Sequence, residues 1–485
     1  MTHQNHLGQH VGVPLPDWSP RPLPPRAPLE GRYVRLEIQT AAAHLDDLWE
    51  AFSADKTGAD WTYRFFGPFE DRDALRDWML EVEHSSTHLY YAYVDLATGK
   101  AVGNGSFMAM APGGGSIEVG SIMFSKALQR TRAATEAIYL HLKWAFDAGY
   151  RRFEWTCDPL NAASMGAAER FGFSFEAIFR QAYVSKGRSR DKATFSVIDA
   201  EWPALREAFE TWLSPENFDA DGQQRQSLRA LTAPLVSTQT EPSDRGLRND
   251  LNQSIDVDVP GWSPCPRPTR ETLTGRYCRL EPLALEHAPA LHAAHQANTD
   301  GSNWTYLPEG PFESEAAYAD WVRAAAISPD PLHYTIITER GPVGTASLMR
   351  TAPAAGSIEV GYITFSPLLQ RTRASTEAMF LMMQWAFDAG YRRYEWKCNA
   401  LNVPSRRAAQ RLGFSYEGVF RNALVTRGQN RDTAWFGIVD SEWPALRTAF
   451  ETWLDPANFD ADGRQKQSLG ALTRPLRVAG DPTLS

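Results

Sequence analysis

The chain contains the same long sequence twice, and this repeat restricts its architecture more than any other feature. The segment SIEVGSIMFSKALQRTRAATEA beginning at Ser116 returns as SIEVGYITFSPLLQRTRASTEA beginning at Ser357. The interval between Gln129 and Gln370 differs slightly from that between Trp18 and Trp262, so short deletions separate the copies, as is usual for loops. A unit of about 220 residues that occurs only twice indicates a duplicated domain rather than a solenoid.

The repeat divides the chain into four predicted segments. They are a Pro-rich lead-in at 1–29, a first domain at 30–233, a polar linker at 234–258 and a second domain at 259–478. The linker is rich in Ser, Thr, Asn and Asp, a composition typical of a solvated connection. Two cores are also expected from length alone, because single cores stop growing near roughly 250–300 residues.

Composition argues against several classes of protein. The net charge of −9 comes without a basic block, which disfavours nucleic-acid binding. The four cysteines have no CxxC spacing or His cluster, so we predict neither disulfides nor a metal site, and a cytoplasmic location. No apolar run approaches the ~20 residues that span a bilayer, so we expect no membrane association.

Hydrophobic periodicity predicts the order β-α-α-β-β-β-α-β-α-β-β for each copy. Tyr33–Ile38 alternates like a strand, two helical segments follow, and three strands separated by turns read as an antiparallel meander. The next helix stops at Gly149, a plausible C-cap. The fold class is therefore α/β, with a mixed sheet in each copy.

This order and several motifs resemble those of the GNAT superfamily of N-acetyltransferases. The run from Ser116 to Phe173 is similar to the central GNAT motifs, and SYEGVFR at Ser415–Arg421 is similar to the ending of the ribosomal-protein-acetyltransferase (RimJ/RimL) branch. The resemblance implies two tandem domains, each with a mostly antiparallel twisted sheet flanked by helices. It also implies acetyl-CoA as cosubstrate and direct attack on it, in a ternary complex, by the primary amine of a small molecule or a peptide N-terminus.

A cofactor site is expected where a strand leads into a helix, because free N–H groups and the helix dipole attract phosphate there. The family element resembles Q/R-x-x-G-x-G/A, but arginines fill the glycine places in this chain. If the loop binds phosphate, it must therefore keep ordinary φ/ψ angles or add guanidinium contacts. The alternative is that these arginines are solvent-exposed residues at the start of a helix and bind nothing. The predicted residues are Gln129, Arg130, Thr131, Arg132, Ala133 and Ala134, with Gln370, Arg371, Thr372, Arg373, Ala374 and Ser375 in the second copy.

The next strand-to-helix junction carries an Asn-x-x-Ser pattern in both copies. The resemblance implies that Asn161 and Asn402 bind the pantetheine or substrate. Ala168 and Ala409 replace the tyrosine that protonates the thiolate in many members. Ser164 and Ser405 then become the predicted acids, although Asn and Ser are also ordinary helix N-caps.

Arg406 is predicted to reach the CoA phosphates, and Met165 replaces it in the first copy. Because a guanidinium strengthens phosphate binding, this difference predicts a stronger C-terminal site.

Glu118 and Glu359, in the SIEVG strands, are the predicted bases. Desolvation could raise the pKa of a carboxylate at this point, while a solvent-facing strand residue is the alternative. Aromatic residues at Trp61, Tyr63, Trp304 and Tyr306 are predicted to form a substrate wall, since cations bind well to ring faces; core packing is the more frequent explanation for aromatic residues.

Two further interpretations stay open. The replaced glycines and tyrosine also fit an acyl-CoA-binding sensor or scaffold with weak catalysis. Duplication suggests an ancestral homodimer fused into an intramolecular pseudo-dimer. The alternative is two domains that are joined by the polar linker and do not pack on each other. The FDADG motifs at Phe218–Gly222 and Phe459–Gly463 lack the remaining ligands of a calcium loop and are predicted to be turns.

Overall fold

The first half of the chain has the predicted order of elements, with three additional two-residue strands at its start and two additional helices at its end. A computed structural model describes residues 3–484. Its strands in this half are β1 His3–Gln4, β2 His10–Val11, β3 Leu29–Glu30, β4 Val34–Ile38, β5 Leu89–Asp95, β6 Ala101–Ala111, β7 Ser116–Phe124, β8 Arg152–Cys157, β9 Ser174–Ser185 and β10 Arg188–Ile198. Its helices are α1 Ala41–Ser53, α2 Arg72–Glu83, α3 Arg132–Asp147, α4 Ala162–Arg170, α5 Trp202–Leu213 and α6 Leu228–Thr232.

The second half repeats this arrangement. Its strands are β11 Leu273–Thr274, β12 Arg279–Pro282, β13 Leu332–Thr338, β14 Gly341–Ala352, β15 Ser357–Phe365, β16 Arg393–Asn399, β17 Ser415–Thr426 and β18 Gln429–Val439. Its helices are α7 Ala288–Gln296, α8 Glu315–Ile327, α9 Arg373–Asp388, α10 Val403–Arg411, α11 Trp443–Leu454 and α12 Leu469–Thr473. Each half is α/β, with helices packed on a mixed and mostly antiparallel sheet.

The sheets of the two halves join into one sheet of 16 strands. The junction is between β9 and β17, where Ala177 lies opposite Gly418. Within each half, the parallel pairs are β7 with β8 and β15 with β16, and the neighbouring pairs run antiparallel. The parallel pairs matter for function because their strands separate toward their carboxyl ends.

The helix that follows each parallel edge strand is set by short-range signals. Thr131 caps α3, its hydroxyl accepting the N–H of Ala134, and one face of the helix is buried against the sheet. Gly149 ends the helix with φ of +84°, and its N–H donates to the carbonyl of Phe146. The predicted C-cap is therefore confirmed.

Buried ion pairs hold the two halves together. Arg152 of β8 donates to Glu176 of β9 at 2.5 Å, and Arg421 of β17 in the other half reaches the same carboxylate at 3.1 Å. Arg393 and Glu417 form the equivalent pair in the second half. Burial alone would raise the pKa of Glu176, but the charge and hydrogen bonds of Arg152 outweigh burial and lower it. Removing one partner would leave a buried charge, so these pairs disfavour separation of the halves.

The predicted polar linker is packed rather than solvated along part of its length. Asp256 is 5% exposed and pairs with Arg245, which also bonds Asp191 of β10. Polar side chains hold this segment by hydrogen bonds instead of apolar contacts, so its composition did not indicate its burial. No helix within residues 3–484 is long and apolar enough to cross a bilayer.

Candidate functional site

Each half contains a large cleft where its two parallel strands separate. The pairing of β7 with β8 ends at Glu118 opposite Glu154, and that of β15 with β16 ends at Val360 opposite Trp396. Beyond these points the strands form the walls of clefts of about 1170 Å³ in the first half and 1230 Å³ in the second. Each cleft extends from the amino end of α3 or α9 to the aromatic loop before α2 or α8.

The predicted cofactor residues lie together at one end of each cleft. Ala133 and Ala374 are buried behind the loop, and the others line the cleft: Gln129, Arg130, Thr131, Arg132 and Ala134, with Gln370, Arg371, Thr372, Arg373 and Ser375. The loops keep a glycine-like shape without glycine, because Arg130 has φ of +64° and Arg371 has φ of +60°. For a loop without glycine we expected either ordinary φ/ψ angles or additional guanidinium contacts. These two positions do not have ordinary backbone angles.

The FDADG motif contributes to the same end of the cleft, which the sequence analysis missed. The guanidinium of Arg132 lies 4.4 Å from the ring centre of Phe218, and that of Arg373 lies 4.2 Å from the ring centre of Phe459. The residues after each ring continue along the cleft: Gly222, Gln223 and Gln224, and Gly463, Arg464 and Gln465. The motif is a turn, as predicted. Its occurrence in both copies is the feature of the sequence that could have indicated a role at each cleft.

Ser164 and Ser405 line the middle of the clefts. The Asn161 side chain caps α4 by accepting the N–H of Ser164, and Asn402 caps α10 in the same way. Both asparagines line their clefts, and their binding of pantetheine or substrate stays a prediction. The indole Nε1 of Trp155 donates to Ser164 Oγ at 3.1 Å, and Trp396 makes the same bond to Ser405. Because the indole is the donor, the serine hydroxyl hydrogen is free to point at another acceptor.

Glu118 lies one residue behind the cleft wall. It is 7% exposed, and its Oε1 accepts a 2.5 Å hydrogen bond from Thr156, which lines the cleft. Burial, followed by the nearby charge of Glu154, raises the pKa of Glu118 to about 7. A carboxyl group with this pKa changes protonation near neutral pH.

Glu359 has a different environment, although its sequence motif is the same. Lys397 replaces Thr156, and its Nζ lies 2.8 Å from Glu359 Oε2. Arg350 lies 3.0 Å from the same oxygen. The Glu359 carboxylate is thus paired with two cations, whereas the Glu118 carboxyl accepts a hydrogen bond from a neutral threonine.

The four aromatic residues of the predicted substrate wall lie in two different places. Trp61 is 3% exposed and packs between Phe52 and Phe69, and Trp304 is 7% exposed and packs against Phe312. Both indoles belong to the core beneath the loop because their large apolar surface is buried there. Tyr63 and Tyr306 do line the clefts, at the end opposite the cofactor loop.

The prediction for Arg406 is wrong. Its side chain is buried away from the cleft, with Nε donating to Asp481 at 2.8 Å and Nη1 donating to the carbonyl of Ala400 at 2.9 Å. This ion pair with the C-terminal tail satisfies the guanidinium, so it is not available to phosphate. Asn402 keeps its predicted place beside Ser405 in the cleft. Within residues 3–484, no three His, Cys, Asp or Glu residues form a group that could hold a metal ion.

Several solved structures of acetyltransferases are similar to parts of the chain. A crystal structure of a GCN5-related N-acetyltransferase from Brucella melitensis is 47% identical, with a TM-score of 0.44, over 44% of this chain and 99% of that one. A probable GNAT-family acetyltransferase from Chromobacterium violaceum is 42% identical, with a TM-score of 0.38, over 39% and 95%. The acetyltransferase from Salmonella typhimurium that modifies the N-terminal serine of ribosomal protein L7/L12 is 20% identical, with a TM-score of 0.32, over 35% and 99%.

No curated protein matches the chain. The model of the acetyltransferase (GNAT) domain matches it twice, at residues 35–174 and 278–415. The two matches lie one in each half, include both parallel strand pairs and the QRT loop between the strands of each pair, and together cover more than half of the sequence. The chain therefore belongs to the GNAT family of acyl-CoA-dependent acetyltransferases and contains that domain in duplicate.

Proposed function

We propose that each half transfers an acetyl group from acetyl-CoA to a primary amine of a small molecule or of a protein N-terminus. The observation that carries this proposal is the continuity of each cleft. It runs from a helix amino end flanked by arginines, past a serine hydroxyl, to a tyrosine at the opposite end. A long anionic cosubstrate and a separate acceptor could therefore enter from opposite ends and meet in the middle.

The cofactor end suits the diphosphate of CoA. The free N–H groups at the start of α3 and the guanidinium groups of Arg130 and Arg132 provide hydrogen-bond donors and positive charge. Beyond Glu118 the cleft-facing edge of β7 has no partner strand, so its backbone groups can bond the amides of pantetheine. In this arrangement the thioester would lie near Ser164.

The reaction follows from these positions. The neutral amine attacks the thioester carbonyl carbon, and the carbon–sulfur bond breaks as the tetrahedral adduct collapses. Ser164 donates its hydroxyl proton to the departing thiolate, and its oxygen regains a proton from the positively charged nitrogen of the adduct, directly or through water. In the first half, Glu118 accepts the proton of the ammonium through Thr156 or a water molecule, since its pKa of about 7 suits a base at neutral pH. In the second half, Arg350 and Lys397 occupy Glu359 Oε2, so the ammonium proton passes to solvent.

Binding and turnover test this proposal separately. Calorimetry with acetyl-CoA should give binding at the two clefts, and a thiol-release assay with spermidine, an aminoglycoside and peptides beginning with Ser or Ala should identify an accepted amine. Substitution of Thr131 by a bulky Trp should block one cleft and leave the other. Absence of any affinity for acetyl-CoA would contradict the proposal.

The second candidate is an acyl-CoA-binding sensor or scaffold. Two features favour it: alanines stand where a tyrosine acid is common, and Glu359 is held by two cations. A sensor would bind acetyl-CoA in calorimetry without releasing thiol for any amine of the panel. An enzyme in the first half and a sensor in the second would give release that disappears with Thr131→Trp alone.

We also propose that the two halves pack as a pseudo-twofold pair descended from a homodimer. The equivalent ion pairs of Arg152 with Glu176 and Arg393 with Glu417, each reached by an arginine of the other half, support this arrangement. Small-angle scattering should give a compact profile. An elongated and flexible profile would contradict the proposal.

A further inference from the structure

Two short segments outside the family match have the same internal structure. We name Asn5–Val11 the N-terminal arm and Asn249–Ile255 the central arm. In the first, Asn5 Oδ1 accepts the N–H groups of Leu7 and Gln9. In the second, Asn249 Oδ1 accepts the N–H groups of Leu251 and Gln253. Each arm therefore forms a compact loop, closed by an asparagine, that precedes the Pro-rich lead-in of its own half.

Each arm contacts the cleft of the opposite half. Gln253 lines the cleft of the first half, where its Oε1 accepts from Thr62 Oγ1 at 2.5 Å and its Nε2 donates to the carbonyl of Ala59 at 2.9 Å. Gln9 lines the cleft of the second half, where its Oε1 accepts from Thr305 Oγ1 at 2.5 Å and its Nε2 donates to the carbonyl of Ser302 at 3.2 Å. The two sets of bonds correspond atom for atom.

The arms also hold the tyrosines at the acceptor end. Tyr63 donates its hydroxyl hydrogen bond to the carbonyl of Ser254 at 2.8 Å, and Tyr306 donates to that of His10 at 2.7 Å. Without these bonds neither tyrosine hydroxyl would bond a carbonyl of the arm, and the loop that carries each tyrosine would make fewer contacts. The orientation of the acceptor wall thus depends on the arm.

Backbone hydrogen bonds fix the crossing. Next to the N-terminal arm, Asn430 N donates to the carbonyl of Val13 at 2.9 Å, so this arm lies on the β17–β18 hairpin. Next to the central arm, Ser189 N donates to the carbonyl of Val257 at 2.9 Å, so this arm lies on the β9–β10 hairpin. Farther along the chain, Trp18 returns to its own half and bonds the carbonyl of Gly113. The exchange is therefore a defined path rather than a loose contact.

We infer that the arms are exchanged positioning elements: each acceptor site is completed by the arm that belongs to the other half, with Gln9 and Gln253 as the positioning residues. The role in acceptor binding rests on the proposed function, whereas the crossed path does not. Two copies of the domain would then be required for complete sites, because half of the chain alone would lack the arm for its own cleft. This arrangement also makes the two sites differ at their rims, where His10 in one arm corresponds to Ser254 in the other.

Hydrogen exchange of the full chain tests the crossed path without any ligand. Gln253→Ala should accelerate amide exchange about 5-fold in the peptide 58–66 and leave 301–309 unchanged, since each lost hydrogen bond is worth a few-fold in local opening. Gln9→Ala should give the reverse pattern. The matched controls are Asp250→Ala and His6→Ala, which alter exposed residues of the same arms and should change neither peptide. Faster exchange in both peptides, or in neither, would overturn the exchanged arms.

Kinetics test the positioning role. With an amine accepted in the panel above, Gln253→Ala and the loop-side variant Thr62→Val should each raise the acceptor KM of the first site several-fold, with a smaller effect on kcat and none on the KM for acetyl-CoA. Thr62→Ser, which keeps the hydroxyl donor, should restore the acceptor KM. A crossed exchange pattern without turnover would contradict the proposed function while keeping the exchanged arms, and an unchanged acceptor KM in an active enzyme would overturn the positioning role.

Discussion

The indole of Trp155 donates a hydrogen bond to the hydroxyl oxygen of Ser164, and the pair lies midway along the cleft of the first half. A bond in this direction fixes the oxygen and leaves the hydroxyl hydrogen for a thiolate. If Ser164 and Ser405 are the acids, the double variant Ser164→Ala, Ser405→Ala should lower kcat about 10²-fold. Steady-state thiol release at saturating acetyl-CoA measures this loss.

Trp155→Phe is the matched control for the serine. It removes the indole donor and keeps the acid, so in a Ser405→Ala background we expect a smaller loss, about 10-fold or less. Equal rates for the serine double variant and the native chain would show that the thiolate takes its proton from elsewhere.

Glu118 should give the first site a characteristic pH profile. Because burial and Glu154 raise the pKa of Glu118 to about 7, its carboxylate form grows between pH 6 and 8, and kcat should rise over this range. In a Ser405→Ala background, which leaves only the first site, Glu118→Gln should flatten this rise and lower kcat at pH 8. A rise that persists in the variant would assign the ionisation to another group, such as the acceptor amine.

The same pKa has a consequence for stability. A carboxyl group whose pKa is raised by folding contributes stability below its unfolded pKa, near 4.5, and this contribution is lost as pH rises through about 7. The free energy of unfolding of the native chain should therefore fall, relative to Glu118→Gln, between pH 5 and pH 8. Urea unfolding at these two pH values measures the difference, and a parallel pH dependence of the two chains would contradict it.

Variants of Arg130 distinguish the effect of backbone conformation on stability from the effect of charge on acetyl-CoA binding. Its φ of +64° costs a residue with a Cβ about 1 kcal/mol, a cost that glycine does not carry. Arg130→Gly should therefore be more stable than Arg130→Ala by about this amount in urea unfolding. Both variants lack the guanidinium, so equal losses of acetyl-CoA affinity would assign the arginine's contribution to its charge.

Gln223 and Arg464 occupy equivalent positions beside the QRT loops of the two halves. Substituting each by the other's residue type would therefore change the charge of the two clefts in opposite directions. Arg464 is largely exposed, with its nearest carboxylate, Asp462, at 3.4 Å, so its contribution to phosphate binding should be modest. Arg464→Gln should weaken acetyl-CoA binding at the second site about 2- to 5-fold at low salt, and Gln223→Arg should strengthen the first site similarly. Calorimetry in 0.5 M salt should abolish both effects; effects that persist there would argue against screened charge.

Arg64 gives the first acceptor site a charge that the second lacks. It lines the cleft next to Tyr63 without a side-chain hydrogen bond or ion pair to any residue of 3–484, and Leu307 takes its place in the second half. Burial and the nearby Arg190 lower its pKa to about 10, so it stays cationic at neutral pH. We expect the first site to prefer amines that carry a carboxylate, and Arg64→Leu to raise the KM for such amines about 10-fold.

The control for this prediction is the KM for acetyl-CoA. If Arg64 binds an acceptor carboxylate, Arg64→Leu should leave this value unchanged. A rise in the KM for acetyl-CoA instead would place Arg64 on the CoA phosphates, and unchanged values for both substrates would contradict an anion-binding role.

Short-range signals in the sequence were sufficient for the central order of strands and helices in each half, although not for the two helices that follow the last strand. The threonine cap and the Gly149 stop define α3 from residues within one helical turn, and the repeated QRT string indicated a loop that lines the cleft in both halves. The duplication itself predicted two equivalent domains. These features depend on neighbours in the chain, so a single sequence contains them.

Long-range packing decided the remainder. Trp61 and Tyr63 are two residues apart in the chain. The indole of Trp61 is buried in the core, where it packs against Phe52 of α1, whereas Tyr63 lines the cleft. Arg406 pairs with Asp481 in the tail instead of facing phosphate, and the two glutamates of SIEVG differ because Thr156 and Lys397, on the neighbouring strands, differ. The sequence by itself determined which elements form and where each domain's loops begin. Only the tertiary structure decided which side chains meet across those elements, because burial and electrostatic pairing depend on residues that are distant in the chain.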